Sequence, residues 1–356
     1  MPNLQIPKRT AAISLLTLST AAAAQSSVTL YGFTDVAVEF LNHVQAANGQ
    51  SSNLVRMTSG DGAASRWGLT GREDLGGGNT AIFKLENGFV VNSGNVGQNG
   101  RLFGRQAYVG IANAQYGTLT LGRQQNLLFD VLIPYDPMYF APMDSAFTHD
   151  PMLAGRVDNS IKYVKSMFGF TVSGLYSFGA DSTIPNGAQV PGNSRVGRDF
   201  GAGVTYQLDS FTASLVFEQQ NGTSAATAAN KQERYGAAIA YAFDRLTLSA
   251  TYLAYRSNLG AQPARSNLYW AGATWKVAPD WFLKAAAYKT DDFHSGQDPL
   301  SVVLYSEYLL SKQTSLYALL GFATNPEQSN MSLAYGETVV PGARQLGAAV
   351  GVKHAF

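Results

Sequence analysis

Residues 235–255 read YGAAIAYAFDRLTLSATYLAY. In an extended chain successive side chains point to opposite faces. Tyr235, Ala237, Ile239, Tyr241 and Phe243 then share one face, and Gly236, Ala238, Ala240 and Ala242 the other. Asp244-Arg245 reads as a two-residue turn. Beyond it the larger residues move from odd to even positions: Leu246, Leu248, Ala250, Tyr252. A two-residue hairpin demands that switch, because the residues flanking the turn pair directly and lie on the same face.

The same switch occurs at Asp209-Ser210, between Val204, Tyr206, Leu208 and Phe211, Ala213, Leu215, Phe217. Around Ala278-Pro279-Asp280 the parity is less clean, with Trp281 and Phe282 competing for the outer face. Working outward from these hairpins predicts roughly sixteen strands, beginning near 27, 63, 79, 102, 117, 156, 169, 197, 210, 231, 245, 266, 281, 300, 314 and 342. Connections alternate in length. Short ones include Gly76-Gly77-Gly78, Gln115-Tyr116-Gly117 and Ser311-Lys312; long ones lie near 42–62, 91–101, 126–155, 180–196, 221–230, 257–265, 292–299 and 324–341. The long ones are rich in Gly, Asn, Ser, Gln and Pro, as solvated loops are. Short turns at one end and long loops at the other are the pattern of a transmembrane β-barrel. A soluble β-sandwich needs no such alternation. It also leaves unexplained the many aromatics beside turns, which suit interfacial girdles.

Composition agrees. Charged residues are 14% of the 356, against roughly 25% in soluble domains. Aromatics are 12%, and no run of about 18 apolar residues offers a membrane helix. In lipid every backbone N–H and C=O must be paired, and a closed sheet does this without an edge. Closure requires the last strand, near 342–356, to pair with VTLYGFTDVAVEF, 28–40. The ending GVKHAF puts Val352, His354 and Phe356 on one face, toward lipid. With no cysteine, disulfides have no part in the fold. Lys8 and Arg9, the apolar AAISLLTLSTAAAA and the small-residue pair Ala22 and Ala24 read as a secretory signal over 1–24, leaving 25–356 as the barrel domain. Loss of those two cations leaves 23 basic against 24 acidic residues, which gives no footprint for nucleic acid.

Sixteen strands enclose an aqueous channel, so function depends on what narrows it. The longest connection, Asn126 to Gly155, is too apolar to float in water and carries Asp130, Asp136, Asp144 and Asp150. It is expected to fold into the lumen, apolar side on the wall and carboxylates toward the water path. On the wall, parity turns Arg66, Thr70 and Arg72 inward, with Lys84 and Glu86 on the next strand. Arg156 and Asp158 share a face with Lys162 in phase. Phe103 is out of phase with Tyr108, so parity leaves Arg105 open. Basic wall residues opposite acidic loop residues create a transverse field that filters small charged solutes. Taken singly, Lys84, Arg72 and Lys162 read equally well as ordinary solvated lumen residues or members of structural ion pairs.

SSVTLYGFTD (26–35), SRWGLTGREDLGGGNTAIFKLENGF (65–89), RLFGRQAYVGIANAQYGTLTLGRQ (101–124), RVDNSIKYVKSMFGFTVSGLYSFG (156–179) and the ending GVKHAF together resemble the Gram-negative porins of the beta-proteobacterial type. The resemblance implies a homotrimer of sixteen-stranded antiparallel barrels in the bacterial outer membrane, in contact with its lipid and lipopolysaccharide. The third long loop is inside, and ions and small hydrophilic solutes pass by diffusion. It implies no cofactor, metal or enzymatic activity. Arg66, Arg105 and Arg156 match basic constriction positions and Glu86 an acidic wall position; Asp136 and Asp144 are the loop acids chosen to face them. The resemblance also makes Phe356 the signal read by the barrel-insertion machinery. Two departures stand out: Phe33 replaces the Lys that enterobacterial relatives carry after the first Tyr-Gly, and DPMYF replaces the acidic PEF-type loop motif. Three arginines at the constriction favour anions.

Other functions compete. A hydrolase needs a nucleophile, base and orienting group in reach. The four histidines, His43, His149, His294 and His354, sit in no nucleophile motif. A sealed adhesive barrel calls for an apolar or plugged lumen, and a substrate-selective porin for a file of lumen aromatics.

Overall fold

A computed structural model describes residues 27–356, apart from 182–188, 295, 297 and 327. The signal expected over 1–24 lies outside the described residues. Sixteen antiparallel strands close into one barrel. They are β1 (Ser27–Gln45), β2 in two segments (Ser51–Thr58 and Arg66–Gly76), β3 (Asn79–Val90), β4 (Gln106–Asn113), β5 (Gly117–Gln125), β6 (Arg156–Met167), β7 (Phe170–Ser177) and β8 (Asp199–Leu208). Then follow β9 (Phe211–Asn221), β10 (Lys231–Ala242), β11 (Leu246–Ser257), β12 (Ala264–Ala278), β13 (Trp281–Asp292), β14 (Leu300–Leu309), β15 (Thr314–Thr324) and β16 (Gln345–Ala355). Closure is the expected one: Phe33–Leu41 pairs with Gly347–Ala355. No described helix is long and apolar enough to cross a membrane; the barrel crosses with strands.

The two parity hairpins stand as read. Tyr241 pairs with Leu248 across the turn, and the Phe243 amide donates to Leu246 O at 2.7 Å. Leu208 pairs with Phe211. Tyr235, Ile239, Tyr241 and Phe243 are exposed on the outer face, while Gly236 and Ala238 are buried on the inner one. Large apolar side chains therefore face lipid, inverting the soluble-protein rule. The ambiguity at Trp281 has a cause: a register shift between Lys276 and Ala278 interrupts alternation before the turn.

Two boundaries differ from expectation. The loop placed at 42–62 contains a strand, Ser51–Thr58, paired with Ala37–Gln45. The true turn is the short Ala46–Gln50 stretch, and the break in β2 comes at 59–65. There Gly60 takes φ +84 and the chain folds over buried Asp35, which accepts from the Ala63 amide at 2.7 Å and from Tyr317 OH at 2.7 Å. The strand expected near 102 begins at Gln106. Phe103 lies before it, edge-on to Trp67 at 6.3 Å, which explains its lack of phase with Tyr108.

Candidate functional site

Segment 126–155 lies against the inner wall. Its apolar residues Leu127, Leu128, Phe129, Leu132, Ile133, Met138 and Phe140 are buried, and Tyr139 stays half exposed. Glycines on the wall make room. A Cβ at Gly236 of β10 falls 2.6 Å from Leu132 Cδ1, and one at Gly272 of β12 falls 2.6 Å from Pro137 Cγ. On β16 a Cβ at Gly347 falls 2.5 Å from Met143 Cε. A side chain at Gly236 or Gly347 would have to displace Leu132 or Met143, and one at Gly272 would also meet Ala285 O at 2.5 Å, so the small face of YGAAIAYA is the seat of Leu132. The segment begins on Asn126, which caps its first turn by accepting from the Phe129 amide at 2.9 Å. Glu218 of β9 accepts from the Leu127 amide at 2.8 Å.

On the wall, the charged residues expected at the constriction gather around Glu86. Arg105 Nε lies 2.7 Å from Glu86 Oε1, and Tyr31 OH donates to Oε2 at 2.7 Å. Lys84 Nζ and Arg66 Nε lie 3.5 and 3.8 Å from the same Oε2. One carboxylate thus faces three cations. Arg105 and Glu86 are each only 2% exposed, and Arg105 also sits over the Phe140 ring, so this pair is a buried brace rather than an open filter. Arg66 remains partly exposed, its guanidinium 4.1 Å from the Phe33 ring centroid. The departure at Phe33 therefore supplies a platform that orients Arg66. Arg156 is half-buried. Its Nη1 donates to Ala154 O at 3.1 Å, and no carboxylate pairs with it among the described residues. Nearby, Arg101 and Arg123 both hold Asp158, at 3.0 and 2.5 Å. The sequence reading passed over these two arginines, because their shared partner lies on β6, far along the chain.

The loop acids need correction. Asp136 and Asp144 are buried and do not face the water path. Asp136 accepts from Tyr288 OH at 2.6 Å and from the amides of Met138 and Ala146 at 2.9 Å each. Asp144 accepts from Ser301 OH at 2.8 Å. Ser301 in turn meets His149 Nε2 at 3.0 Å, and His149 Nδ1 meets Thr290 at 2.9 Å. These groups pin the loop to β13 and β14. The loop acid that stays partly exposed is Asp130, paired with Lys162 Nζ at 2.5 Å, and Asp150 holds Arg234 at 2.7 Å. A second segment, within 325–344, also turns inward and clamps the first. The Asp144 amide donates to Leu333 O at 2.7 Å, and Tyr335 stacks on Phe147 with centroids 4.4 Å apart. The chain reading took this segment for a solvated loop.

Burial pushes the Asp136 carboxyl up to about 6 and the Asp144 carboxyl to about 7, while burial pulls His149 down to about 3. Both carboxyl values are raised above the ordinary carboxylate range near 4. Their stabilisation of the seat is therefore complete below pH 4 and lost as pH rises through about 6 to 7. The absence of cysteine allows a clean reporter. Met143→Cys is expected to react with a methanethiosulfonate at least about tenfold faster at pH 8.5 than at pH 5, relative to the unfolded chain at each pH. Adding Asp144→Asn should flatten the rise above pH 7. A flat profile without that change refutes the pin.

Comparison with known proteins agrees with this geometry. The family model described as Gram-negative porin matches residues 10–328. Outer membrane porin protein 32 of Delftia acidovorans is 30% identical, the match covering 97% of this chain and 98% of that one. An outer membrane porin protein of Bordetella pertussis is 29% identical with the same coverage. Among solved structures, an anion-selective porin from Comamonas acidovorans superposes with a TM-score of 0.80 at 28% identity, covering 93% of this chain and all of that one. OmpT of Vibrio cholerae, at 13% identity and a TM-score of 0.64, shares the fold. With its sixteen-stranded barrel and the matches spanning nearly its whole length, the chain belongs to the Gram-negative porins, diffusion channels of the bacterial outer membrane.

Proposed function

We propose that this porin passes small anions in preference to cations, as a homotrimer, and that Arg66, Lys84 and Arg156 form its filter. The observation that carries the reading is the excess of cations: Glu86 alone stands among Arg66, Lys84 and Arg105, and Arg156 forms no ion pair among the described residues. In a water-filled passage that excess raises the local anion concentration and lowers that of cations. The anion-selective relative supports the same direction. In this reading Arg105 and Glu86 brace the wall, Asp136 and Asp144 seat the loop, and residues 1–24 serve for export.

The mature protein in a planar bilayer is expected to give stepwise conductance, with a zero-current potential of anionic sign under a salt gradient. Absence of steps refutes the channel, and a cationic sign refutes the preference. The same recording on protein from a native membrane extract tests the trimer, which predicts steps in groups of three.

A further inference from the structure

On the outside of the barrel, Tyr252 of β11 and Tyr269 of β12 pair in register, their ring centroids 5.2 Å apart. Both are exposed, as is Leu248 below them, and such rings mark the edge of the apolar band of a barrel. From this pair the two strands run on to their connection between Ser257 and Ala264, one of the long ones, and long connections lie on the extracellular side. Toward that end the outer face turns polar in steps. Tyr252 OH donates to Asn267 Oδ1 at 3.1 Å, and Asn267 Nδ2 donates to Tyr269 OH at 3.2 Å. Beyond them Arg256 and Arg265 stand directly opposite each other, both exposed. Like charges so placed repel. The two acids beside them are engaged elsewhere. Glu233, opposite Arg256, pairs with Lys231 at 2.7 Å, and Asp291, opposite Asn267, with Lys289 at 3.3 Å. Among the described residues neither arginine forms an ion pair. Each lies by a ring of the outer face instead, Arg256 at 5.8 Å from the Tyr235 centroid and Arg265 at 5.0 Å from that of Phe293. A ring contact takes up no donor, so both forks of N–H groups stay open.

We propose that Arg256 and Arg265 form a clip on the outside of the barrel for the phosphate monoester of a glycolipid in the outer leaflet. A phosphate monoester carries close to two negative charges at neutral pH and three free oxygens, which two guanidinium forks match in charge and in number of donors. The order of groups along the two strands is that of such a lipid from the bilayer outward. Apolar side chains meet the acyl chains, the tyrosine hydroxyls and Asn267 meet sugar hydroxyls, and the arginines meet the phosphate. A soluble anion makes no use of the first two steps, so the lipid is the occupant. Its phosphate also relieves the repulsion between the paired arginines. This clip is independent of the anion preference of the pore, because both residues face away from the lumen.

The test uses the full mature protein in neutral detergent with two probes, diphosphoryl lipid A and the same lipid stripped of its phosphates. Retained lipid is counted by native mass spectrometry as its concentration rises. The wild type is expected to half-saturate with the phosphorylated probe at a concentration on the order of 10²-fold lower, the worth of two charge-assisted contacts. Arg256→Gln with Arg265→Gln should remove most of that difference. Arg256→Lys with Arg265→Lys, which keeps the charges but not the forks, should keep part of it. Arg245→Gln, the loss of an exposed cation in a short turn at the other end, should leave the difference intact. Only variants with wild-type unit conductance are counted, so a folding failure is not mistaken for loss of the clip. Equal half-saturation by the two probes in the wild type overturns the proposal, and so does an undiminished difference in the double glutamine variant. Loss of subunit association in that variant, with the lipid difference unchanged, assigns the arginines to a contact between copies of the chain and overturns it as well.

Discussion

Replacing Arg66, Lys84 and Arg156 together by glutamine is expected to reverse the sign of the zero-current potential at low salt. A unit charge about 7 Å from a passing ion in water contributes about 0.6 kcal/mol. Three such charges contribute about 2 kcal/mol, with opposite sign for anion and cation. The permeability ratio therefore moves on the order of 10²-fold before screening. At 0.1 M salt the Debye length is about 10 Å and about half of the interaction energy survives; at 1 M it is about 3 Å and about nine-tenths is lost. Arg105 is left in place because its charge is committed to buried Glu86, at 2.7 Å. Removing one partner of a buried pair destabilises by about 3–5 kcal/mol, which would confuse selectivity with folding. Reversal potentials at both salt concentrations check this. A triple variant that stays anion-preferring at 0.1 M shows that the filter lies elsewhere.

Deleting Phe356 is expected to abolish most barrel assembly while leaving the conductance of any pores that form unchanged. The terminal residue makes two backbone hydrogen bonds to Gly32, its amide donating at 2.9 Å and its carbonyl accepting at 3.0 Å. Its ring lies beside Gly32, where a Cβ would fall 2.6 Å from Cζ. Two hydrogen bonds are worth about 2 kcal/mol net, too little to unfold a sixteen-stranded barrel. A near-complete loss therefore points to recognition of the ring during insertion. Phe356→Ala, which keeps both backbone bonds, should fail like the deletion, and Phe356→Tyr should assemble. The fraction of heat-modifiable barrel in outer membranes is the measurement. Normal assembly of Phe356→Ala confines the role of this residue to strand closure.

The outward side of the terminus is comfortable in the structure. His354, the residue hardest to place toward lipid, meets Thr314 OH at 2.9 Å across the seam between β15 and β16, so its ring is not left without a partner. The same neighbourhood shows how far sequence reading reached. Alternation put Val352 and Phe356 outward, as they are, and Lys353 between them reaches Glu307. What alternation did not reveal is that Lys353 pairs with Glu307 whereas Lys284 lies over the Tyr305 ring, its ammonium 5.1 Å from the centroid.

The loop marks the other limit. Its length and apolar content announced burial, and the row of small residues at Gly236, Ala238 and Ala240 was visible from the start. Nothing in either stretch alone says that Leu132 rests on Gly236, about a hundred residues away. Nor did the acids of the loop differ on paper. Asp130 meets Lys162 with part of its surface in water, whereas Asp136 is enclosed by Tyr288 and two amides.

The sequence by itself determined the strands, nearly all their turns, the lipid-facing residues and the closure of the last strand on the first. These follow from a two-residue period and from the need to pair every backbone group in lipid, and both are properties of short stretches. Only the tertiary structure decided which charges are buried braces and which meet water, and it alone brought segment 325–344 inward onto Asp144. Those outcomes depend on solvent exclusion by residues distant in the chain. A carboxylate becomes a pin or part of a filter according to what covers it.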